Sequence, residues 1–216
     1  IVRVQSELTV ATVTANLSRN RVKALSYWNS YQYLNIWVVK SMPAGPDPQE
    51  DPALNGYAQF PNSGRMSTDG VMIRATVFAA GETITHEVGH WLGLRHTWGD
   101  AECGSDNIAD TPADEKGTFD FNVFPFNVGV CEADSVNPAG EMYVNYMDYQ
   151  SDAIQTMFTK GQNALMNETL EGVLDATTGE TDIGYREYMW SAENIAATGT
   201  SDGHLPPFCN SQANFA

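Results

Sequence analysis

Apolar residues along this 216-residue chain fall in short blocks separated by polar, turn-rich stretches. Residues 33–40 form a β-rich run that predicts a buried strand. Residues 41–55 carry four of the ten prolines and predict a loop. A second apolar run at 70–78 predicts another strand. The period then lengthens to that of a helix after Gly81 and Glu82, with Thr83 or a neighbour as its cap. From 97 to 143 no period emerges and Gly, Pro, Asn and Asp are frequent. A loop of that length inside a compact domain needs something to order it. Thr159 reads as the cap of a helix reaching about residue 175, with Leu165, Thr169, Leu170 and Val173 on its inner side. Residues 1–25 alternate only weakly, Val2-Arg3-Val4 being a candidate strand start.

Length and charge narrow the class. A chain of this size can bury roughly 70% of its unfolded surface in one core, so one domain is expected, with two lobes permitted. Eleven basic against 27 acidic residues give a formal charge of −16. That balance argues against nucleic acid and anionic membranes and suits calcium, cationic substrates or plain solubility. No apolar run approaches the ~20 residues needed to span a bilayer. Charged residues are only 18% of the chain, while Asn, Thr, Ser, Gly and Tyr are plentiful, a composition more typical of secreted proteins. No signal peptide is visible, so Ile1 reads as an internal or processed start. Three cysteines leave at least one without a partner in the chain. Cys103 and Cys131 flank the aperiodic segment, where a staple would help, and Cys209 lies in the tail.

Candidate chemistry concentrates at 86–96, HEVGHWLGLRH, which holds three of the four histidines. On a helix, His86 and His90 stand one turn apart on one face and can reach one ion. Gly93 is placed to end or turn the helix, since glycine takes left-handed angles without penalty. That turn would bring His96 in as a third ligand. Three neutral imidazoles and one water make a catalytic zinc site with an open position. Glu87, beside the first ligand, is the candidate to act on that water. A downstream Glu as third ligand is the competing arrangement, with Glu102 and Glu115 available. Neither lies in a recognisable second ligand helix, so His96 is preferred. Trp91 and Leu92 fall on helix faces away from the metal and read as core.

HEVGHWLGLRHTW (86–98), DNIADTPA (106–113), NYMDY (145–149) and FTKGQ (158–162) together resemble the pappalysin family of metzincin metallopeptidases. YLNIWVV (33–39), GYAQFP (56–61) and DGVMI (69–73) fit the same family upstream. The resemblance runs from about residue 28 to about 199. It implies an α+β, metzincin-like fold: a twisted mixed β-sheet upper lobe, a zinc-binding active-site helix, and an irregular lower lobe ending in a C-terminal helix. Residues 1–200 would form the catalytic domain and 201–216 a linker, whose CNSQANF resembles the opening of an extracellular β-sandwich domain. Family domains carry an extra strand and a long backing helix ahead of the sheet, and residues 1–27 look too short for both.

The resemblance also assigns roles. It implies a secreted zinc endopeptidase with protein or peptide substrates, nucleic acid and membrane insertion playing no part. Met147 would be a soft floor beneath the zinc, and Tyr149 would reach the metal or the reacting carbonyl. Asp106, Asp110 and Thr111 would bind a structural calcium. Asp152 would sit at the base of the specificity pocket and select Arg, then Lys, for cleavage on its amino side. The family usually has two bridges in the lower lobe. Its cysteine after the Met-turn is replaced here by Ala153, with no partner for it between 103 and 131, which implies that the Cys103–Cys131 bridge is the one retained. Two other classes compete. A catalytically silent binding or adhesion module would not need the intact Glu87. A structural-zinc protein would need a fourth ligand, for which only His204 is spare.

Overall fold

The computed structural model describes residues 15–42, 54–117, 124–131, 139–151, 153–174, 181–182 and 186–199. Its upper lobe is a three-stranded mixed sheet between two helices. The strands are β1 (Ile36–Val39), β2 (Gly56–Ala58) and β3 (Val71–Arg74), in the order β1-β3-β2. β1 runs parallel to β3 with Trp37 opposite Met72, and β2 runs antiparallel with Tyr57 opposite the same Met72. Alternation then divides the sheet's faces. Trp37, Met72 and Tyr57 point to one side, where Trp37, Met72 and Met42 form a cluster with Val22, Tyr27 and Leu54 packed on it. Val71 and Ile73, also buried, point to the other side with Gly56 and Ala58 across from them.

Helix α1 (Ala15–Lys23) covers the first face, with Arg19 and Lys23 both lying over the Tyr57 ring. A backing helix is therefore present, at nine residues a short one. Whether a strand precedes it falls in residues 1–14, outside the described residues. The second face receives α3 (Glu82–Trp91), the histidine-bearing helix.

Two strand expectations need correction. The run at 33–40 yields a strand only at Ile36–Val39, and it is buried on one face alone: Trp37 lies in the core while Ile36 is 43% and Val38 48% exposed. β1 and β2 are the two edge strands, and α3 lies across β2 and β3. The run at 70–78 is a strand only to Arg74, after which Ala75–Phe78 forms a short helix, α2. The reason is lost pairing. β1 ends opposite Arg74 and β2 begins opposite Ile73, so residues beyond Arg74 have no ladder partner and satisfy their backbone groups locally.

Helix α3 starts without a side-chain cap. Gly81, at φ +98°, takes the cap position, and Thr83 sits inside the first turn. Thr85 Oγ1 donates back to the Gly81 carbonyl at 2.8 Å. The other end is a Schellman motif: Leu94 N–H donates to Gly89 O and Gly93 N–H to His90 O, each at 2.9 Å, with Gly93 at φ +98°.

The described residues between 97 and 143 are mostly irregular, as the composition anticipates. A Cys103–Cys131 disulfide closes this segment, and Cys131 is buried. Cys209 lies outside the described residues. Helix α4 (Lys160–Glu171) begins with a full capping box, in which Thr159 Oγ1 accepts from Gln162 N–H while Gln162 Oε1 accepts from Thr159 N–H. It stops short of residue 175 because Gly172 takes φ +78°, and Val173–Leu174 (β4) then pairs with Thr181–Asp182 (β5). Helices α5 (Glu187–Trp190) and α6 (Ala192–Thr198) follow.

One buried arginine joins these parts. Arg186 forms a two-pronged ion pair with Asp69, at 2.6 and 3.0 Å, both side chains being about 1% exposed. Its Nε donates to Trp91 O at 3.0 Å, Nη2 reaches Gln59 O at 3.3 Å, and the guanidinium lies 3.7 Å over the Trp91 ring. The strand ends, the last turn of α3 and the C-terminal segment are thus held at one point.

Candidate metal centre and active site

The three histidines converge. One ligand atom from each of His86, His90 and His96 lies within 4.8 Å of the others, and among the described residues these are the one such His/Cys/Asp/Glu group. The opposite edge of each ring is anchored. His86 Nδ1 donates to Tyr146 O at 2.6 Å, and His90 Nδ1 to Leu94 O at 2.8 Å. His96 Nδ1 meets the Asp100 carboxylate at 2.5 Å. With each Nδ1 donating, each Nε2 carries a lone pair. His90 Nε2 and His96 Nε2 face one another at 3.1 Å, a repulsive arrangement of two acceptors unless a cation lies between them. The donor set therefore fits zinc.

Burial keeps the rings neutral. Desolvation is the largest cause, followed for His86 by its two positive-prone neighbours, and it lowers His86 to about 3. His90 is lowered to about 4 by the same effect and by His96. His96 is lowered by burial, with Asp100 pulling the other way. Neutral imidazole is the metal-binding form.

Glu87 is buried, and desolvation raises it to about 8. It is pinned against the sheet: a Cβ on Gly56 would stand 2.7 Å from Glu87 Cγ and Oε1. Glycine at 56 is what lets β2 approach this carboxylate. A second close approach lies on the opposite side of α3. A Cβ on Gly89 would come within 2.5 Å of Met147 Sδ, so the fully buried Met147 packs directly against the helix between the two ligands.

Four hydrogen bonds hold the Met147 turn. Asn145 exchanges reciprocal amide bonds with Gln162 of α4 at 2.8 and 3.1 Å, and Asn145 Oδ1 accepts from Met147 N–H at 2.9 Å. Thr97 N–H donates to Met147 O at 3.3 Å. Tyr149, two residues on, is 41% exposed and stands edge-on to His96 with ring centroids 4.7 Å apart. Desolvation, then Asp100 and Glu87, raises its phenol to about 12, so it stays a proton donor at neutral pH.

Glu102 and Glu115 remain outside the histidine group. Glu115 pairs weakly with Lys116 at 3.9 Å. Asp106 is buried, its Oδ1 accepting from Ile108 N–H at 3.0 Å. Burial raises Asp106 while the Ile108 N–H and the Thr111 hydroxyl hold it down. Asp106 Oδ2 and Thr111 Oγ1 are shut off from solvent without a hydrogen bond of normal geometry. Asp110 Oδ2 accepts from Gly161 N–H at 2.9 Å, so it also serves the start of α4. Asp152 and His204 lie outside the described residues.

Sequence reasoning missed several participants. Asp100 and Trp98 follow His96 by four and two residues. Trp98 stacks on the His96 ring at 4.4 Å with planes 2° apart. A carboxylate close behind a ligand histidine is a signal that spacing could have supplied. Asp114 gave no such signal. It is buried beneath Thr97, and burial, with Asp148 and Glu141 adding repulsion, raises it to about 7.

Comparison with known proteins settles the family. The model of peptidase M43, pregnancy-associated plasma protein-A, matches residues 16–171. The chain belongs to this pappalysin family. Among curated relatives, an extracellular metalloprotease of Pyricularia oryzae is 34% identical over 72% of this chain and 56% of its own length. One from Verticillium alfalfae is 38% identical over 62% of this chain and 48% of its own length. The chain thus spans about half the length of these relatives. Mature mirolysin of Tannerella forsythia, solved with a cleaved peptide, superposes with a TM-score of 0.65 at 35% identity, covering 88% of this chain and 67% of mirolysin. This pappalysin is therefore a metzincin in fold as well as in motif.

Replacing Asp100 with Ala frees the outer edge of the His96 ring. Zinc affinity, read by chelator competition, should fall about 10–100-fold, and His96→Ala should lose more. Unchanged affinity in Asp100→Ala would show that the carboxylate does not orient the ligand.

Proposed function

We propose that this pappalysin chain is the catalytic domain of a secreted zinc endopeptidase that cleaves before Arg and, less well, before Lys. The observation that carries the reading is the pairing of three converging Nε2 atoms with a buried, uncompensated Glu87 on the same helix. Residues 1–200 would form that domain, with 201–216 as a linker.

His86, His90 and His96 would hold the zinc, whose Lewis acidity lowers the pKa of water to roughly 7 and polarises a carbonyl. Glu87 takes the proton as water attacks the peptide carbonyl and passes it to the departing amine. Its raised affinity for a proton, a consequence of burial, suits the holding of that proton between the two steps. Tyr149, protonated and standing beside His96, donates to the oxygen on which negative charge grows. Met147 holds the ligand helix from below. Extracellular naming of the relatives supports secretion, and among the described residues no helix is long and apolar enough to cross a membrane.

Glu87→Ala should lower peptide cleavage about 10²–10⁴-fold while binding one zinc per chain. Activity that survives this change would remove Glu87 from the mechanism, whereas a zinc-loaded wild type that cleaves nothing would favour the silent binding module.

Specificity rests on Asp152. A partly desolvated carboxylate pairs with guanidinium through two charge-assisted hydrogen bonds and with ammonium less well. The wild type should prefer Arg on the carboxyl side of the scissile bond in a mixed peptide library, and Asp152→Ala should lose that preference. A variant that keeps it would move the selector elsewhere.

Calcium at Asp106, Asp110 and Thr111 is supported by two buried oxygens that lack normal hydrogen bonds and by hard oxygen chemistry on an irregular turn. Calcium at 100 times its Kd should stabilise chelator-treated, zinc-reloaded protein by about 2.7 kcal/mol and slow autolysis. An unmoved melting temperature would remove the site.

A further inference from the structure

The chain contains a single Asn-Gly pair, Asn55-Gly56, and the fold places it at the entrance to β2. Asn55 is exposed and stands in a bend just ahead of the strand. The Arg74 guanidinium donates through Nη2 to Asn55 Oδ1. Arginine carries donors alone, so it is the side-chain carbonyl that meets the cation.

Register decides where the Gly56 nitrogen points. Arg74 N–H donates to Asn55 O at 2.8 Å, and Gln59 N–H to Gly70 O at 3.1 Å. Both bonds belong to the antiparallel register that sets Gly56 opposite Ile73 and Ala58 opposite Val71. Directly opposed residues alternate between hydrogen-bonded and non-bonded pairs, so 55, 57 and 59 bond to β3 and Gly56 does not. Its N–H therefore points outward along the edge of β2, where no described strand lies. Gly56 also lacks the Cβ that would shield a backbone nitrogen. The fold keeps it that way, because a Cβ there would stand 2.7 Å from Glu87 Cγ and Oε1.

A backbone nitrogen so placed can attack the side-chain carbonyl one residue back and close a five-membered imide. Arg74 holds a fixed positive charge on the oxygen that turns negative during that attack. We propose that Asn55-Gly56 is a self-modification site, at which the chain deamidates and isomerises with Arg74 as the activating group. The Gly56 N–Cγ bond forms, the Cγ–Nδ2 bond breaks, and Nδ2 leaves as ammonia with the proton from Gly56 N. Water then opens the ring. Opening at Cγ leaves an aspartate. Opening at the backbone carbonyl carbon leaves an isoaspartate, whose main chain runs through Cβ and Cγ and is one carbon longer. An aspartate can still pair with Arg74, whereas the extra carbon moves Gly56, and β2 with it, off the Glu87 side chain.

The test ages the zinc-loaded chain carrying Glu87→Gln, which keeps the side-chain shape beside Gly56 and stops autolysis, at neutral pH and body temperature. Peptide mass mapping with fragmentation reads amide-to-acid conversion at each asparagine, and isoaspartyl methyltransferase labelling reads the isoaspartate. Conversion is expected at Asn55 ahead of every other asparagine. Arg74→Met should slow it about tenfold, and Asn55→Gln, whose longer side chain disfavours the ring, should stop it. Should Arg74→Met fail to fold, Arg74→Gln keeps only a neutral donor and should slow it too. A mere clamp would act with the opposite sign, since freeing a held side chain speeds ring closure. These mass readouts do not depend on the peptidase reading. In the wild type, where that reading does enter, cleavage should fall in step with isoaspartate at residue 55, while Asn55→Asp keeps it. Asn55 that converts no sooner than the other asparagines, or as fast or faster in a folded Arg74 variant, overturns the proposal.

Discussion

Three imidazole lone pairs aimed at one point repel one another, and the molecule is organised around holding them there. Each ring is fixed from behind by an acceptor that belongs to a different piece of chain: Tyr146 O from the Met147 turn, Leu94 O from the reversal after α3, and the Asp100 carboxylate. Two of the three are backbone carbonyls, so ring orientation is set by where the chain runs. Backbone placement in turn depends on Gly93. Its positive φ lets the chain fold back on the last turn of α3, where the Schellman bonds consume helix carbonyls that would otherwise be orphaned. A residue with a Cβ at that angle would cost roughly 1–2 kcal/mol and would loosen His90 and His96 together.

Arg186 works at a larger scale. The end of α3 presents carbonyls with partial negative charge, and Arg186 donates to the Trp91 carbonyl while Thr169 of α4 donates to that of Leu92 at 2.8 Å. The same guanidinium neutralises Asp69, whose Oδ2 also accepts from the Trp91 indole Nε1–H at 3.3 Å. Buried ion pairs rarely add net stability over apolar packing. What this one provides is position, because one planar cation satisfies acceptors from β2's exit, β3's entry and the ligand helix at once. The edge strand and the metal helix cannot shift relative to each other without leaving a buried charge unpaired.

How much of this the sequence disclosed follows from the range of the interactions. His86, His90, Gly93 and His96 are related by helical spacing and one glycine, all within eleven residues, so the ligand set could be read directly. The cap at Thr159 is equally local and equally visible, while its reciprocal partner Gln162 emerges only with the structure. The Cys103–Cys131 bridge came through family resemblance, since three cysteines alone do not choose a pair. The strand at 70–78 was misjudged because its apolar pattern continues past the point where neighbouring strands run out, a fact of sheet topology that no local pattern encodes. Thr83 was misjudged as a cap because Gly81 could do the work through backbone angle alone. Arg186 is 117 residues from Asp69, and it became meaningful only when the fold brought its partners in.

Two glycines show how far that invisibility extends into the candidate active site. Neither Gly56 nor Gly89 takes a positive φ, so neither is needed for a turn, and in sequence each looks replaceable by alanine. Gly56 is required because the Glu87 carboxylate fills the space where its Cβ would be. Gly89 is required because Met147 Sδ does the same on the other side of the helix. The two contacts fix α3 between the edge strand and the Met-turn, and they bring backbone close enough to strip water from Glu87. Its raised proton affinity comes from burial, and the missing methyl on β2 is what lets the strand approach that closely. The motif supplies the reactive groups, and the absent side chains around it tune them.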